Sequence, residues 1–242
     1  MTPVIGSNGK VYGSTTPIVV KVDPSRVLTN FSQNIPNPTA PAGSAYSMGA
    51  MSSTITLPRG GDAPQANGRY LYTASSLSLA GNRTVTIDGP VDLVITGDMS
   101  MAGSSGITVA GTTASLGVYG YGNLQIAGNG MTNSTNVPSN AYFYGLGGSG
   151  TSVSVEGNGN FTGVVNAPNA DITVTGNGTI DGAMTGNTVT FNGNATLHYD
   201  TQLGGTTSSP YYWVKTWVEL TEASTSTSPF KRDIRSPFTN IF

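Results

Sequence analysis

Few side chains in the second half of the chain could perform acid–base chemistry, and their spacing does not favour it. Between residues 157 and 212 the acids are Asp171, Asp181 and Asp200, and His198 is the only histidine of the chain. A glycosidase needs two carboxylates about 5 to 9.5 Å apart, whereas Asp171 and Asp181 fall at different points of the repeat described below. A lone histidine is more often a hydrogen-bonded structural residue than a base or a metal ligand. We therefore predict no catalytic residue, no metal site and no cofactor.

Charge is scarce throughout the chain. Charged residues make up 9% of the 242 residues, against roughly 25% in an average soluble protein. There is no Lys or Arg between residues 84 and 214, where a lyase acting on acidic sugars would need a cation. The net charge of −2 offers no attraction for nucleic acid. A surface of hydroxyls and amides is more typical of extracellular fibres and coats than of cytosolic proteins.

Three short stretches of the sequence are copies of one another. Residues 155–161, 174–180 and 191–197 each place an apolar residue on either side of a Gly/Asn corner, and the middle asparagine of the corner recurs at a nearly constant interval. A period of about 18 residues is too short for helix-pair repeats. It suits one rung of a parallel β-helix, in which equivalent residues stack from rung to rung. We predict an all-β, right-handed parallel β-helix with rungs of about 17–19 residues.

The repeat also predicts which side chains stack. One inward column is expected to consist of Val155, Val174 and Phe191. A second inward column is expected to consist of Phe161, Ile180 and Leu197. Stacked amides bond from one layer to the next, and such a corner ladder is expected from Asn158, Asn177 and Asn194.

Short alternating segments extend the pattern towards the N-terminus. Apolar–polar–apolar triplets such as residues 77–79 and 107–109 are typical of half-buried strands. Ile126 follows Val109 in a matching context at the same interval as the last two copies of the corner, which indicates the same rung length. Asn-Gly pairs are also the strongest short-range hairpin signal, so an antiparallel sandwich is the alternative fold. The residue-for-residue matches and the very short strands favour the solenoid.

The regions flanking the repeat differ from it in composition. We predict an extended leader over residues 1–53, either flexible or pairing as a capping or exchange strand, and a β-helix over residues 54–209. Solenoids need a cap on their last rung, and the strand within residues 210–222, which carries Trp213 and Trp217, is the candidate. The tail, residues 223–242, is either disordered or adds as a strand to another subunit. Its interaction candidates are Phe238, Ile241 and Phe242.

Residues 132–150 interrupt the repeat with a predicted loop. This loop contains Tyr142, Phe143 and Tyr144, three adjacent aromatic residues. They could form a platform for a sugar or a protein partner. The other interpretation is that they shield the side of the β-helix, because strand-like alternation would leave only one or two rings facing outward.

The region from Phe161 to Leu220 resembles a known family. The resemblance is carried by residues 164–170 (VVNAPNA), the following strand with its Gly-Asn-Gly corner at 176–178, residues 181–183 (DGA), residues 197–200 (LHYD) and residues 217–220 (WVEL). The family is the uncharacterised β-helical domain of bacterial surface proteins, often found behind a pilus-assembly (PilX-type, minor pilin-like) N-terminus. The resemblance implies a secreted or surface-anchored parallel β-helix with no known catalytic residues.

These observations predict a structural protein. We expect a subunit of a bacterial extracellular filament, pilus-like fibre or surface coat, which assembles through its ends or terminal segments with copies of itself or with other surface or pilus proteins. The alternative is a surface adhesin that binds glycans, and a polysaccharide-degrading enzyme is less favoured. No apolar run reaches the length that a transmembrane helix requires, so none is expected. No signal peptide is visible, which for an exported protein implies a mature or trimmed form.

Overall fold

The structure is a computed structural model that describes residues 35–127, 130–157, 161–176, 179–200 and 203. These residues form strands joined by irregular corners, and a short 3-10 turn spans Pro138–Asn140. The strands are β1 (Tyr46–Ser47), β2 (Ala50–Met51), β3 (Ile55–Leu57), β4 (Tyr70–Ala74), β5 (Ser76–Leu79), β6 (Thr84–Ile87), β7 (Pro90–Ile95), β8 (Met99–Met101), β9 (Gly106–Val109), β10 (Ser115–Gly120), β11 (Leu124–Ile126), β12 (Met131–Asn133), β13 (Ala141–Gly145), β14 (Ser152–Gly157), β15 (Phe161–Gly176), β16 (Thr179–Gly193) and β17 (Thr196–Tyr199).

The strands wind in one direction as a parallel β-helix of about six turns. In most of the chain each strand pairs in parallel with the strand three positions further along, as β4 does with β7 and β7 with β10. The solenoid therefore has three faces. Face A holds β1, β4, β7, β10 and β13, face B holds β2, β5, β8, β11 and β14, and face C holds β3, β6, β9 and β12. The long strand β15 turns two corners and contributes to all three faces, and β16 follows the same path. The predicted fold class is confirmed.

The rungs vary in length along the chain. Phe161 lies opposite Ile180 and Ile180 opposite Leu197, so the last two turns repeat at the intervals predicted from the sequence. Earlier turns are longer, because Val91 lies opposite Leu116 and Met131 lies opposite Phe161.

The predicted alignment of Ile126 with Val109 was wrong. Ile126 is on face B opposite Val155, whereas Val109 is on face C opposite Asn133. Longer corners in the early turns move the true partner further along the chain. The short interval of the last turns therefore does not apply to the early ones.

The core is a set of inward columns with one residue from each turn. On face A the column is fully buried and in register from rung to rung: Tyr72, Leu93, Val118, Phe143 and Val165. Period-two alternation places their neighbours in sequence on the outside. Because inward apolar residues lie directly above one another, each turn covers the apolar side chains of the turn before it.

Both predicted inward columns are in register. Val155 lies opposite Val174 and Val174 opposite Phe191, while Phe161, Ile180 and Leu197 follow one another on face C. Burial falls along each column, since Phe191 is only partly buried and Leu197 is 39% exposed. Leu197 lies in β17, which pairs only with β16 among the described residues. Of the predicted amide ladder, Asn194 is described, whereas Asn158 and Asn177 lie outside the described residues.

The β-helix begins earlier than predicted, because β1, β2 and β3 already form its first turn. Residues 35–45 precede this turn without regular secondary structure and run along the outside of face A, and we call them the strap. At one end the amide of Asn169 donates a 3.0 Å hydrogen bond to Asn37. At the other end Gln65 donates a 2.6 Å hydrogen bond to the carbonyl of Ser44. The strap therefore crosses the face from the late turns to the first one.

Several predicted features lie outside the described residues. They are the leader up to residue 34, the cap residues Trp213 and Trp217, and the tail residues Phe238, Ile241 and Phe242. Among the residues that the structure does describe, no helix is long and apolar enough to cross a membrane.

Candidate functional site

The aromatic stretch predicted as a loop is a strand of the solenoid. Residues 141–145 form β13, which pairs with β10 from Leu116 to Gly120. Phe143 points inward and is fully buried, so it belongs to the core column of face A. Tyr142 and Tyr144 point outward and are partly exposed. The prediction of an aromatic loop over the whole of 132–150 was wrong, because the extra residues are confined to the corners on either side of β13.

Two outward tyrosines of β13 stack with a third from the neighbouring turn. Tyr119 of β10 lies opposite Tyr144, with ring centroids 4.7 Å apart and an interplanar angle of 15°. Tyr142 and Tyr144 are 5.4 Å apart at 4°. Parallel offset rings at such distances attract one another beyond their burial. We call Tyr119, Tyr142 and Tyr144 the tyrosine shelf, and it forms an aromatic surface across two turns of face A.

The hydroxyls of the tyrosine shelf stay protonated over a wide pH range. Burial raises the pKa of all three side chains above the ordinary tyrosine value, most strongly for Tyr144. Burial disfavours the charged form of a group that is neutral when protonated. The nearby carboxylate of Asp92 adds to the rise in pKa of Tyr119 and Tyr144. At neutral pH the shelf therefore combines uncharged ring faces with hydroxyls that can donate and accept hydrogen bonds.

An ion pair between a partly exposed arginine and a buried carboxylate lies beside the shelf on the same face. Nε of Arg69 donates to Oδ2 of Asp92 at 2.8 Å, and Asp92 is only 4% exposed. The two terminal nitrogens of Arg69 donate to Oγ of Ser115 at 2.8 Å and to the carbonyl of Val91 at 2.7 Å. A buried carboxylate needs such a partner, since an unpaired charge would be strongly unfavourable there. The pair fixes the guanidinium and cancels its charge.

Gly117 allows the ring of Tyr119 and the carboxylate of Asp92 to approach each other closely. It occupies the outward position between Asp92 on one turn and Tyr142 on the next. A Cβ atom at this position would lie 2.6 Å from Oδ1 of Asp92 and 3.0 Å from the ring of Tyr119. Only glycine lets the Tyr119 ring and the carboxylate share this space. This residue was not predicted from the sequence, although a glycine within a strand is a recognised sign of close packing.

A buried amide holds the corner next to the shelf. Asn133 is 5% exposed and takes an inward position opposite Val109. Its amide nitrogen donates to the carbonyls of Val137 and Thr162, and its oxygen accepts from the backbone N–H and the hydroxyl of Thr135. These bonds satisfy a polar group that burial would otherwise penalise. The ordered corner ends in the 3-10 turn, whose Asn140 borders the shelf.

The shelf, the ion pair and the corner enclose one groove. Its volume is about 510 Å³. Pro41 of the strap forms part of its wall, together with Asn67 and Asn140. The lining combines tyrosine rings with amides, hydroxyls and the Arg69–Asp92 pair, so it is more polar than that of most ligand sites, whereas the volume falls within their usual range. The groove can therefore contact a ligand through ring faces, amides and hydroxyls together.

Of the acidic residues considered for catalysis, Asp171 and Asp181 lie on different faces, whereas Asp181 and Asp200 border one pocket together with His198. Asp181 lies on face C between Thr162 and His198, and its Oδ1 is 3.0 Å from Nδ1 of His198. Asp171 begins the face B segment and lies opposite Ser152. Among the described residues, no three His, Cys, Asp or Glu side chains are grouped so as to hold a metal ion.

Polar neighbours stabilise the ionised form of Asp171. Hydrogen bonds from the hydroxyl of Thr188 and the amide of Asn187 lower the pKa of Asp171. A carboxylate with a lowered pKa stays charged at neutral pH and is a poor general acid. These hydrogen bonds connect one turn of the solenoid to the next.

Comparison with known families gives one match, over residues 39–206, and its description is "Domain of unknown function (DUF7305)". The chain belongs to this family. The DUF7305 region extends from within the strap to beyond β17, so it contains the tyrosine shelf, the ion pair and the described solenoid turns. No curated protein and no solved structure is detectably similar to the chain. The function must therefore be inferred from the geometry of the DUF7305 domain itself.

Proposed function

We propose that this DUF7305 domain is a non-catalytic glycan-binding module of a bacterial surface protein. The observation that carries the proposal is the tyrosine shelf beside a polar groove of about 510 Å³. Tyrosine offers a large apolar ring and a polar tip within a single side chain. A sugar ring presents the same combination, because its C–H groups form apolar faces and its hydroxyls surround the edge.

The chemistry of the groove favours an uncharged glycan. Its guanidinium belongs to Arg69, which is already paired with Asp92 and bonded to Ser115. The shelf hydroxyls remain neutral because burial raises their pKa. An acidic sugar would find no unpaired positive charge among the described groove residues, and desolvating its carboxylate would be unfavourable. Amides such as those of Asn67 and Asn140 suit the hydroxyls of a neutral sugar.

Glycan-array screening followed by calorimetry tests this proposal. Tyr142→Ala removes the shelf ring that β13 presents next to Gly117, and we expect at least tenfold weaker binding of the neutral glycan that the unaltered protein selects. Tyr199→Ala is the matched control, since this tyrosine is 58% exposed in β17 and is not part of the shelf. It should bind normally. An array without any hit, or equal affinities for the two variants, would contradict glycan binding at the shelf.

A structural role in an extracellular filament or coat is the second candidate. It is favoured by β17, which pairs only with β16 among the described residues and has all four of its residues exposed. An exposed strand edge is a template for pairing with another chain. Partners would be copies of this chain or other surface or pilus proteins, as the resemblance to PilX-associated β-helices implies.

Negative-stain electron microscopy of the purified full chain tests the filament role. Regular fibres that disappear when Thr196→Pro is introduced would support assembly through β17, because proline cannot donate to the ladder. Thr112→Pro is the control: this exposed residue is the second of the turn that the N–H of Ala114 closes on the carbonyl of Gly111, a position that accepts proline. Dispersed particles at all concentrations would count against this role.

A further inference from the structure

The outer side of face A carries apolar side chains that alternation alone would leave in water. Leu71 and Val94 point outward from β4 and β7, yet they are only 3% and 8% exposed. The strap lies over this part of the face, where its residues are small: Ala40, Pro41, Ala42, Gly43 and Ala45. Apolar burial is the main attraction between the strap and the solenoid.

The strap is held by few directional bonds. Side-chain hydrogen bonds join Asn169 to Asn37 and Gln65 to Ser44, near its two ends. The three prolines of the strap have no N–H to donate. A cleft of about 580 Å³ lies between the strap and the outer side of face A, and the groove of the tyrosine shelf borders the strap at Pro41. The strap thus lies on face A as a separate proline-rich peptide would lie on an aromatic-lined groove.

The length of the strap fits this face from end to end. From Asn37 to Tyr46 an extended chain spans about 30 Å. Between the turn of Asn169 and the first turn there are roughly five strand spacings, or about 24 Å. The strap is therefore nearly straight. The chain continues from it directly into β1, which begins at Tyr46 in the first turn.

The first rung provides the place where two copies could meet. Among the described residues, β1, β2 and β3 pair only with β4, β5 and β6, so the opposite edge of the first turn has no described strand partner. If two first turns face each other across a two-fold axis, each strap can continue past that axis onto face A of the other copy. Exchange of an identical element in this way gives a closed dimer at little cost in contacts.

We propose that residues 35–45 exchange between two copies of this chain, so that each strap covers Leu71 and Val94 of the partner copy and borders its tyrosine shelf at Pro41. The contacts are those already described within one chain, made between two. The inference does not depend on glycan binding. It makes the strap an interaction element and the outer side of face A its docking surface, with a closed dimer as the product.

Site-specific cross-linking of the full chain tests the exchange, because the sequence contains no cysteine. One preparation carries Asn37→Cys and a differently tagged one carries Asn169→Cys, at the two side chains that are 3.0 Å apart. The two are mixed, unfolded in urea, refolded together and treated with a short bis-maleimide. We expect a linked heterodimer that mass spectrometry identifies by its two tags. Ser78→Cys, on the exposed outer side of face B, replaces Asn169→Cys in the control mixture.

The double variant, Asn37→Cys with Asn169→Cys in one chain, distinguishes a strap that lies on its own chain from one that lies on the partner copy. Cross-linked dimers from the double variant, together with heterodimers well above the Ser78→Cys control, support exchange. Cross-linking that yields monomers alone, with heterodimers no more abundant than the control, overturns the proposal. Absence of any cross-link in the double variant also overturns it, because the strap would then not lie beside Asn169 in either copy.

Discussion

The early turns of the solenoid and its last two turns differ in rung length and in the burial of their inward columns. From β1 to β14 the turns are long and irregular, and their inward columns are almost completely buried. In the last two turns the rungs shorten to the length of the sequence repeat, and burial declines towards Leu197. The tyrosine shelf, the Arg69–Asp92 pair and the end of the strap at the first rung all belong to the early turns.

This difference shows that a visible sequence repeat and a well-filled core are separate properties. In the last turns the sequence repeats the same Gly/Asn motif at a nearly constant interval. Longer rungs place extra residues at the corners, where they can carry other side chains without altering the strands. The part of the molecule that is most repetitive in sequence is therefore the part with the fewest distinctive surface groups.

The largest expected effect compares a core side chain of the early turns with one of the last two turns. Phe143→Ala removes a fully buried ring that packs 5.6 Å from the ring of Phe161. We expect the free energy of unfolding to fall by about 3–5 kcal/mol. Phe191→Ala removes a partly buried ring in a late turn, and the expected loss is about 1–2 kcal/mol. Urea denaturation measures both, and equal losses would show that the late turns are as tightly packed as the early ones.

A smaller effect is expected from the backbone of the late turns. Gly182 lies opposite Gly163 with a φ of 147°, and a Cβ atom at this position would overlap the carbonyl oxygen of Gly163. Gly182→Ala should therefore lower the free energy of unfolding by roughly 1–3 kcal/mol. Gly148→Ala is the control, because nothing lies within 4 Å of its added Cβ. If both variants unfold at the same urea concentration, close stacking of glycines does not limit the short rungs.

The smallest effect is the dependence of stability on alkaline pH, and it concerns the early turns. Burial, aided by a hydrogen bond to Asp62, raises the pKa of Tyr72 to about 12. The folded state thus favours the protonated form, so this stabilisation is complete below the unfolded pKa of about 10 and is lost as pH rises towards 12. The shelf tyrosines act in the same direction. Urea midpoints should stay constant up to about pH 9 and decline above about pH 10.

Tyr72→Phe sharpens the pH experiment. This variant loses its bonds to Asp62 and to the N–H of Arg59, so it should be less stable at neutral pH but decline less steeply at alkaline pH. Phenolate absorbance, recorded through the same titration, identifies whether tyrosines ionise before the protein unfolds. Complete tyrosine ionisation at the ordinary tyrosine pKa in the folded protein would contradict burial of these side chains.

Much of the architecture could be predicted from sequence because stacking copies local pattern from turn to turn. The parallel β-helix and the columns of Val155 and Phe161 followed from period and alternation alone. The residue-by-residue pairing of strands in the early turns could not be predicted in this way. A corner insertion shifts the partner of Ile126 to Val155, and nothing in the local sequence of Ile126 records that shift.

The candidate site was predicted only in part for a related reason. Tyr142 and Tyr144 were identified as an aromatic group, and the expectation of one or two outward rings fits their alternation with Phe143. Their partner Tyr119 belongs to the turn before Tyr144, just as Arg69 belongs to the turn before Asp92. Such contacts between turns depend on the register, so they emerge only once the length of each turn is known.

The corner that follows β13 has a practical consequence. The N–H of Leu146 donates to the carbonyl of Gly120 on one side, and the N–H of Ser152 donates to Oδ1 of Asn123 on the other. Between these anchors Gly148 and Gly150 have open space where a side chain would begin. A segment bounded in this way can be lengthened without breaking the ladder. Residue 149 therefore offers an insertion point for foreign peptides, which would turn the solenoid into a carrier for grafted epitopes or affinity tags.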